Sequence, residues 1–305
     1  IKSILVEVNV IQLIVDSCLI GGLYALMAVG LTFIYRIMSF PNFAHAEFIT
    51  FGAYAAFFAN VSLGLGLIIS SVIAFFATGV IVVLSYFAIF ARLSAMGSKA
   101  MFPMMIGSIG LGLVIRHIIQ ELMGPRVLYY NMEAPEVYEF LGARATAIDL
   151  LIIFISIILV IALHLLLSRT TIGKAMRAIS DNINLARVSG INTHYVIIAV
   201  WFLSGGVAGF AGMLRGLDTY LMPLLGWNLL LPAFAVVILG GIGSFYGAIL
   251  AGYMLGFAEN IGVIVLFSLN LSNSYRPAIA FSILIIVLLM RPQGIFSNFR
   301  TRGDV

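Results

Sequence analysis

Long apolar segments separated by short polar breaks make up most of this chain. Most are close to the roughly 20 residues that an α-helix needs to cross the hydrocarbon core of a membrane. Alternation with a period of two residues is absent, so the pattern predicts an all-α fold, a polytopic helical membrane bundle with about eight or nine membrane-crossing segments. We expect these segments at about 10–34, 43–60, 65–90, 100–119, 148–168, 195–216, 228–241, 246–267 and 277–290.

One long polar stretch, at about 169–194, interrupts this pattern. Apolar residues recur in it at three- and four-residue spacing, which predicts a short amphipathic helix that Thr170 and Thr171 cap and Gly190 ends. Two interpretations stay open: a solvated positive-inside loop, or a docking surface for a cytoplasmic partner. Its cations are Arg169, Lys174, Arg177 and Arg187, its acid is Asp181, and its apolar residues are Ala175, Met176, Ile179, Ile183 and Ala186.

Composition excludes a soluble globular domain. The 305 residues are 62% hydrophobic and 9% charged, whereas a soluble domain is typically about 45–50% apolar; the mean hydropathy is +1.15. The net charge of +4 is small and its cations lie at span ends, so no nucleic-acid binding is indicated. The single cysteine, Cys18, rules out an intramolecular disulfide.

The positions of lysine and arginine predict the orientation in the membrane. The 91–99 loop, the 169–194 stretch and the tail are basic, so we expect them, and hence the C-terminus, in the cytoplasm. Residues 120–147 then form an external loop, and nine crossings would place the N-terminus outside. The tail cations are Arg291, Arg300 and Arg302.

Polar residues near Pro41 form the first candidate site inside the apolar segments. Proline ends or kinks a helix, and Asn42, His45 and Glu47 then place polar groups among apolar neighbours. Ionisable groups at membrane depth are costly and mark functional sites or internal pairs. The alternatives are a cytoplasmic turn with a snorkelled His and Glu, or a discontinuous helix that lines the substrate pathway.

A glycine cluster forms the second candidate site. Gly240, Gly241, Gly243 and Ser244 can break a helix, and the segment before them is short enough to be a half-helix. Broken helices recur at the midplane of transporters, so these residues are candidates for the substrate pathway; the alternative is an ordinary turn.

Other polar residues suggest structural roles. Glu259 either pairs with a neighbour or lies on the pathway, and Arg116 is interpreted as a residue at a span boundary. No cluster of cysteine, histidine and carboxylate residues has metal-ligand spacing, and no catalytic constellation or Walker A sequence is present. We therefore expect no metal, no bound cofactor and no enzymatic activity in this chain.

Five motifs in order resemble the permeases of branched-chain amino-acid ABC importers, the LivH type. The first motif, within Gly22–Tyr54, departs from that family's usual Asn-Phe-Ala-His-Gly-Glu at one position, where Ala46 replaces the glycine. Within 171–191 the resemblance lies in Thr171, Gly173, Ala175, Arg177, Ala178, Asp181, Ala186, Gly190 and Ile191. The others are GLYALMAVGLTFIYRIMSFPNFAHAEFITFGAY (Gly22–Tyr54), FLSGGVAGFAGML (Phe202–Leu214), LGGIGSFYGAILAG (Leu239–Gly252) and RPQGIF (Arg291–Phe296).

The resemblance implies one transmembrane permease domain over 1–305, multi-pass in the inner (cytoplasmic) cell membrane. Its partners would be a second LivM-like permease chain or a second copy, two cytoplasmic ATPase subunits that bind ATP and Mg²⁺, an external substrate-binding protein and membrane lipid. The matching residues from Thr171 to Gly190 would couple to the ATPases, and alternating access would move branched-chain or other hydrophobic amino acids.

Three alternatives remain at this stage. Permeases for urea or short amides share the same motifs. An ion-coupled secondary transporter without an ATPase is a different class; the basic helix and the few acids within the spans disfavour it. A membrane-embedded enzyme lacks the catalytic cluster that it would need.

Overall fold

The computed structural model describes residues 9–132, 134–291 and 293–296, except for the side chains of Ser98 and Asn273. Arg300 and Arg302 of the basic tail, and Pro292 of the last motif, lie outside the described residues.

Helices dominate this part of the chain. Two π-helical turns lengthen them: Phe58–Ser62 continues α2, and Tyr86–Phe90 joins α3 to α4, while Gly97–Lys99 and Asn273–Tyr275 are 3₁₀ turns. The α-helices are α1 (Val10–Met38), α2 (His45–Phe57), α3 (Leu67–Ser85), α4 (Ala91–Ser94), α5 (Met101–Met123), α6 (Ala147–Arg169), α7 (Thr171–Asp181), α8 (Ile183–Val188), α9 (Thr193–Asp218), α10 (Leu225–Gly240), α11 (Phe245–Ser268) and α12 (Arg276–Met290).

Every predicted membrane segment coincides with a helix, which confirms the all-α membrane bundle. Over the described residues, six helices are long and apolar enough to cross a membrane: α1, α3 with α4, α5, α6, α9 and α11. α10 and α12 are shorter apolar helices, and α2 has 13 residues before its π-helical turn. The expected eight or nine crossings are therefore an approximate count.

A β-hairpin in the predicted external loop is the exception to the helical fold. Strands β1 (Val137–Phe140) and β2 (Ala143–Thr146) pair antiparallel. Leu141 and Gly142 join them with φ of 49° and 79°, the positive values that a two-residue hairpin turn favours. Strands of four residues are too short to show a period-two pattern in the sequence, so the prediction missed them.

The chain forms two compact units, and the larger comprises Val29–Asn131 and Ile158–Leu230. We call it the α2 unit, because α2 packs against α3, α5 and α9 and buries ten of its residues. Glycine makes the contact with α9 possible: a Cβ on Gly212 would come 1.9 Å from the carbonyl oxygen of Ile49. Close approach of small residues is how membrane helices gain packing energy.

An aromatic cluster holds the non-helical connection between α1 and α2 in the α2 unit. The π-helical turn places the rings of Tyr86 and Phe90 5.2 Å and 4.9 Å from that of Trp201. Phe90 also stacks at 5.3 Å on Phe40, which belongs to the connection. Phe40, Phe90 and Trp201 are fully buried, so these rings fix the connection to α9 and to the π-helical turn.

One end of the α2 unit collects the segments that carry the predicted cytoplasmic cations. The ring of His194, at the start of α9, lies 5.8 Å from Phe87, which precedes the basic 91–99 loop. Arg36, near the end of α1, bonds to Ser180 of α7. This grouping agrees with a common side for the basic loops, although their side of the membrane stays a prediction.

The smaller unit comprises residues 1–28, 132–157 and 231–305, within the described limits. We call it the α11 unit. α11 packs on the first half of α1 through glycines: a Cβ on Gly252 would come 2.6 Å from the backbone nitrogen of Ala25, and one on Gly256 would come 2.7 Å from that of Gly21. The proposed single permease domain over 1–305 stays a prediction.

Candidate functional site

The connection between α1 and α2 carries the predicted break at Pro41. α1 ends at Met38 and α2 begins at His45, yet His45 lies beside Gly30, where a Cβ would come 2.8 Å from its Cε1. Eight residues separate Gly30 from the end of α1, about 12 Å along a helix. The chain therefore runs back along α1 before α2 starts, and a role of this segment in lining the substrate pathway stays a prediction.

Asn42 shapes the start of α2. Its Oδ1 accepts a hydrogen bond from the backbone nitrogen of Ala44 at 3.1 Å, and the neighbouring nitrogen of Phe43 donates to Ser108 Oγ at 3.1 Å. The side chain is fully buried, but its Nδ2 has no hydrogen-bond partner in the described part of the chain. A buried donor without a partner costs roughly 1–3 kcal/mol.

Glu47 forms a buried ion pair with Arg116. Both Nε and Nη2 of Arg116 donate to Glu47 Oε1, the former at 3.0 Å. The side chain of Glu47 is 1% exposed and that of Arg116 is 11% exposed. The guanidinium carbon lies 4.3 Å from the centre of the Trp227 ring, a cation–π contact. The alternative of a snorkelled Glu47 is therefore wrong, and Arg116 has a buried partner that the sequence did not indicate.

The start of α10 lies against the first turns of α2. The backbone nitrogen of Gly226 donates to Thr50 Oγ1 at 2.9 Å, and a Cβ on Gly226 would come 1.8 Å from the carbonyl oxygen of Ala46. Two helix starts therefore meet next to the Glu47–Arg116 ion pair. Ala46 itself is helical, so the family's glycine is not required there by the backbone.

The glycine cluster is a tight turn between α10 and α11. Gly241 and Gly243 have φ of 89° and 83°, and Ser244 Oγ caps α11 by accepting from the nitrogen of Gly247 at 3.1 Å. The turn belongs to the α11 unit, whereas Asn42, His45 and Glu47 belong to the α2 unit. A pathway role for Gly240, Gly241, Gly243 and Ser244 stays a prediction.

Glu259 pairs with neighbours within the α11 unit, as one of the two alternatives proposed. The hydroxyl of Tyr24 donates to its two oxygens at 2.9 and 3.1 Å. Nε of Arg276 donates to Glu259 Oε2 at 3.1 Å, and Nη2 of Arg276 donates to Asn260 at 3.2 Å. This network ties α11 to α12 and α1, which is a structural role.

The basic stretch contains two helices rather than the single one predicted. Thr170 Oγ1 caps α7 by accepting from the nitrogen of Gly173 at 3.1 Å, and Gly190, with φ of 84°, ends α8, as expected. Between them Asn182 leaves the helical conformation, with φ of −156°. Its Oδ1 accepts from the nitrogens of Asn184 and Leu185, both at 3.0 Å, and so starts a new helix.

α7 is fastened to the end of α6 by two of the predicted coupling residues. Nη1 of Arg177 donates to the carbonyl oxygen of Leu167. Gly173 is buried there, since a Cβ would come 2.2 Å from the same oxygen. The side chain of Arg177 therefore points toward the C-terminus of α6, where it satisfies a backbone carbonyl group. Among the other predicted coupling residues, Ala186 is buried, Ala175 and Ala178 are half-buried, and Thr171, Asp181 and Gly190 are exposed.

A second bond fastens α7 to α1. Nε of Arg36, two residues before the end of α1, donates to Ser180 Oγ at 2.9 Å. Arg36 thus joins the last turn of α7 to the helix that leads directly into the connection before α2. The sequence carried no signal for this bond, because 144 residues separate the two partners.

Two exposed apolar side chains on α8, Leu185 and Val188, were not singled out from the sequence, which identified Ile183 and Ala186 of the same helix. Leu185 is 64% exposed and Val188 86% exposed. The exposed cations Lys174 and Arg187 lie in the same two helices. Apolar residues held in solvent outside the spans are a candidate contact surface. We call Lys174, Leu185, Arg187 and Val188 the α8 surface.

At the other end of the α2 unit, the predicted external loop folds onto the bundle. Tyr130 is buried, and its hydroxyl donates to the carbonyl oxygen of Ala53 at 2.8 Å. Burial raises the pKa of Tyr130, so it stays a protonated donor. The nitrogen of Asn131 donates to Asn60 Oδ1 at 2.7 Å, which closes the loop over the end of α2.

Comparison with known proteins agrees with this architecture. The family model described as branched-chain amino acid transport system / permease component matches residues 13–288. The chain is 30% identical over 301 residues to the high-affinity branched-chain amino acid transport system permease protein BraD of Pseudomonas aeruginosa, across 94% of this chain and 96% of BraD.

Two further relatives carry similar names. The chain is 29% identical over 304 residues to the high-affinity permease protein LivH of Escherichia coli, across 94% of this chain and 96% of LivH. It is 27% identical over 307 residues to the probable branched-chain amino acid transport permease protein LivH of Methanocaldococcus jannaschii, across 97% of this chain and 95% of that relative. No solved structure matches the chain. The family model and these relatives span nearly the whole helical bundle, and the long apolar helices make the chain a multi-pass membrane protein. It is a transport subunit and not an enzyme, and it belongs to the permease component family of branched-chain amino acid transport systems.

Proposed function

We propose that this chain is the membrane-spanning permease of an ATP-binding-cassette importer for branched-chain or other hydrophobic amino acids. The names of BraD and LivH support this solute class. The importer contains a second permease chain, two cytoplasmic ATPase subunits that bind ATP and Mg²⁺, and an external substrate-binding protein. It lies in the cytoplasmic membrane and works by alternating access.

The anchoring of α7 is the observation that carries this proposal. Arg177 fastens α7 to the end of α6, and Arg36 fastens it to the end of α1. A helix fixed at two points moves as a rigid element, so a displacement at its surface reaches both membrane helices. Such rigid-body movement is one of the established modes of switching.

The α8 surface is the contact for the ATPase in this proposal. Leu185 and Val188 supply exposed apolar side chains, and the exposed Lys174 on α7 and Arg187 on α8 supply positive charge. Interfaces of this kind place apolar residues in the centre and charges at the rim. The predicted coupling residues Gly173 and Arg177 act behind this surface by holding α7 in place.

The route from the α8 surface to the solute pathway runs through α1. Arg36 joins α7 to the last turn of α1, and the connection beyond it leads to Asn42, His45 and Glu47 at the start of α2. Because aromatic rings pack this connection, it transmits movement instead of absorbing it. Asn42, His45 and Glu47 line the pathway in this account.

Replacement of Val188 with aspartate tests the docking role. The tagged chain is purified with its partners in mild detergent, and the recovered ATPase subunits are quantified by mass spectrometry. We expect a loss of about tenfold or more, since burying an unpaired charge in an interface costs several kcal/mol.

Leu141→Asp is the matched control, because Leu141 is 83% exposed at the tip of the hairpin. It should leave the recovery of ATPase subunits unchanged. Equal recovery with Val188→Asp and the unsubstituted chain, at equal yield, would contradict docking at the α8 surface.

A further inference from the structure

The carboxylate of Glu47 is less fully bonded than that of Glu259, although Glu47 receives two hydrogen bonds from Arg116 and Glu259 receives one from the 35% exposed Arg276. Glu259 also accepts two bonds from Tyr24, and Arg276 also donates to Asn260. By contrast, the second oxygen of Glu47 receives only a 3.4 Å contact from Thr50. Nη1 of Arg116 makes no hydrogen bond within the described residues. Both charges of this pair therefore keep unused bonding capacity.

The stability of the fold does not explain why such a pair is present. A buried ion pair is often no more stabilising than apolar residues of the same volume, whereas removing one partner is strongly destabilising. Charged groups within membrane segments are accordingly rare and mark sites of function. The bonds from Tyr24 and Arg276 engage both oxygens of Glu259 and identify that pair as a structural tie, whereas within the described residues Oε2 of Glu47 has only the 3.4 Å contact from Thr50.

The surroundings of the pair suit a small ligand with both charges and an apolar part. Arg116 reaches the surface of the α2 unit at 11% exposure, and the Trp227 ring against it is 51% exposed. The buried Nδ2 of Asn42, in the connection just before the helix that carries Glu47, is a hydrogen-bond donor without a partner among the described residues. These groups supply an acceptor, a bidentate donor and an aromatic face.

We propose that Glu47 and Arg116 bind the zwitterionic end of an α-amino acid during transport. The ammonium group replaces Arg116 as the partner of Glu47, and the carboxylate replaces Glu47 as the partner of Arg116. Trp227 contacts the aliphatic side chain. Every buried charge stays paired throughout the exchange, so the ligand avoids the cost of an isolated charge. This inference rests on the proposed amino-acid import and names the group of atoms that the pathway recognises.

Thiol protection tests this binding directly. The probe is Asn228→Cys in a Cys18→Ser background, because Asn228 is exposed beside Trp227. The complete importer is alkylated in detergent without its binding protein. Leucine at ten times its Kd should slow alkylation about tenfold by mass action. Isoamylamine lacks the carboxylate, isocaproate lacks the ammonium group, and isovaleramide lacks both charges, so none of the three should protect.

Substitutions then assign the charges. Glu47→Gln and Arg116→Gln should each abolish protection by leucine, and Glu259→Gln should leave it intact. If a single variant fails to assemble, the double variant Glu47→Gln/Arg116→Gln, which leaves no unpaired charge, should assemble and show no protection. Protection that persists in the double variant, or that isovaleramide matches, would overturn the inference. The assay consumes no ATP, so a failure of ATP-driven uptake would count separately, against the proposed function.

Discussion

At the scale of single residues, the guanidinium of Arg177 forms its hydrogen bond with another part of the same chain. A cation in a polar, basic stretch is expected to face solvent or a partner, yet Arg177 donates to the carbonyl oxygen of Leu167. The last carbonyl groups of a helix lack hydrogen-bond partners within the helix. A cation there donates to one of them and also interacts favourably with the negative end of the helix dipole. Arg169, Lys174 and Arg187 are the cations of this stretch that are exposed and remain available to a partner.

Replacement of Arg177 with glutamine should weaken coupling and leave docking in place. Losing a charged hydrogen bond of roughly 1.5–3 kcal/mol loosens α7 from α6. We expect uptake per ATP hydrolysed to fall several-fold, measured in proteoliposomes, with unchanged recovery of the ATPase. Arg177→Lys keeps a donor and a charge and should restore part of the ratio. A normal ratio for Arg177→Gln would show that this bond is dispensable.

The sequence could not predict that Glu47 pairs with Arg116, although both residues could be seen to be unusual in their segments. Each is an ionisable residue in an apolar stretch, which the cost of burial marks as unusual. Their pairing depends on how α2 and α5 are rotated against each other, and 69 residues separate the two positions. Glu47 was therefore recognised as a candidate, and Arg116 was not.

At the scale of elements, the helices could be predicted because their lengths and apolar content follow from the membrane. The break at Asn182 could not, because the apolar spacing continues across it from Ile179 to Ile183 and Ala186. An asparagine inside a helix competes for backbone nitrogens, and here it caps α8. The hairpin was missed because its strands have four residues each, so that the alternation in Ala143–Thr146 is too brief to stand out in the sequence.

The contact between α2 and α9 gives a prediction at this scale. In Gly212→Ala the new methyl group would lie 1.9 Å from the backbone oxygen of Ile49, so the helices must separate. Overpacking of this kind costs about 1–3 kcal/mol. We expect a lower thermal unfolding midpoint in detergent.

Gly110→Ala is the control for that measurement, since Gly110 lies within α5 and a Cβ there has nothing within 4 Å. It should leave the midpoint unchanged or raise it slightly, because alanine favours a helix by about 1 kcal/mol over glycine. Equal midpoints for the two variants would mean that the α2–α9 contact is less close than described.

At the scale of the whole molecule, the account depends on which sides of the membrane the polar segments occupy. Single cysteines at Val188 and Leu141, in a Cys18→Ser background, are both highly exposed positions. We expect an impermeant thiol reagent to label Leu141→Cys in intact cells and Val188→Cys only after the membrane is opened. Labelling of Val188→Cys from outside would overturn the predicted orientation and the docking of a cytoplasmic ATPase.

The central claim is that separate ATPase subunits drive this permease, and uptake by the purified assembly tests it most directly. The chain is isolated with whatever accompanies it, reconstituted in proteoliposomes with the binding protein, and supplied with ATP inside or with an ion gradient alone. The account predicts that ATPase subunits co-purify and that leucine enters only when ATP is hydrolysed. A chain that purifies alone and accumulates leucine on an ion gradient would contradict it.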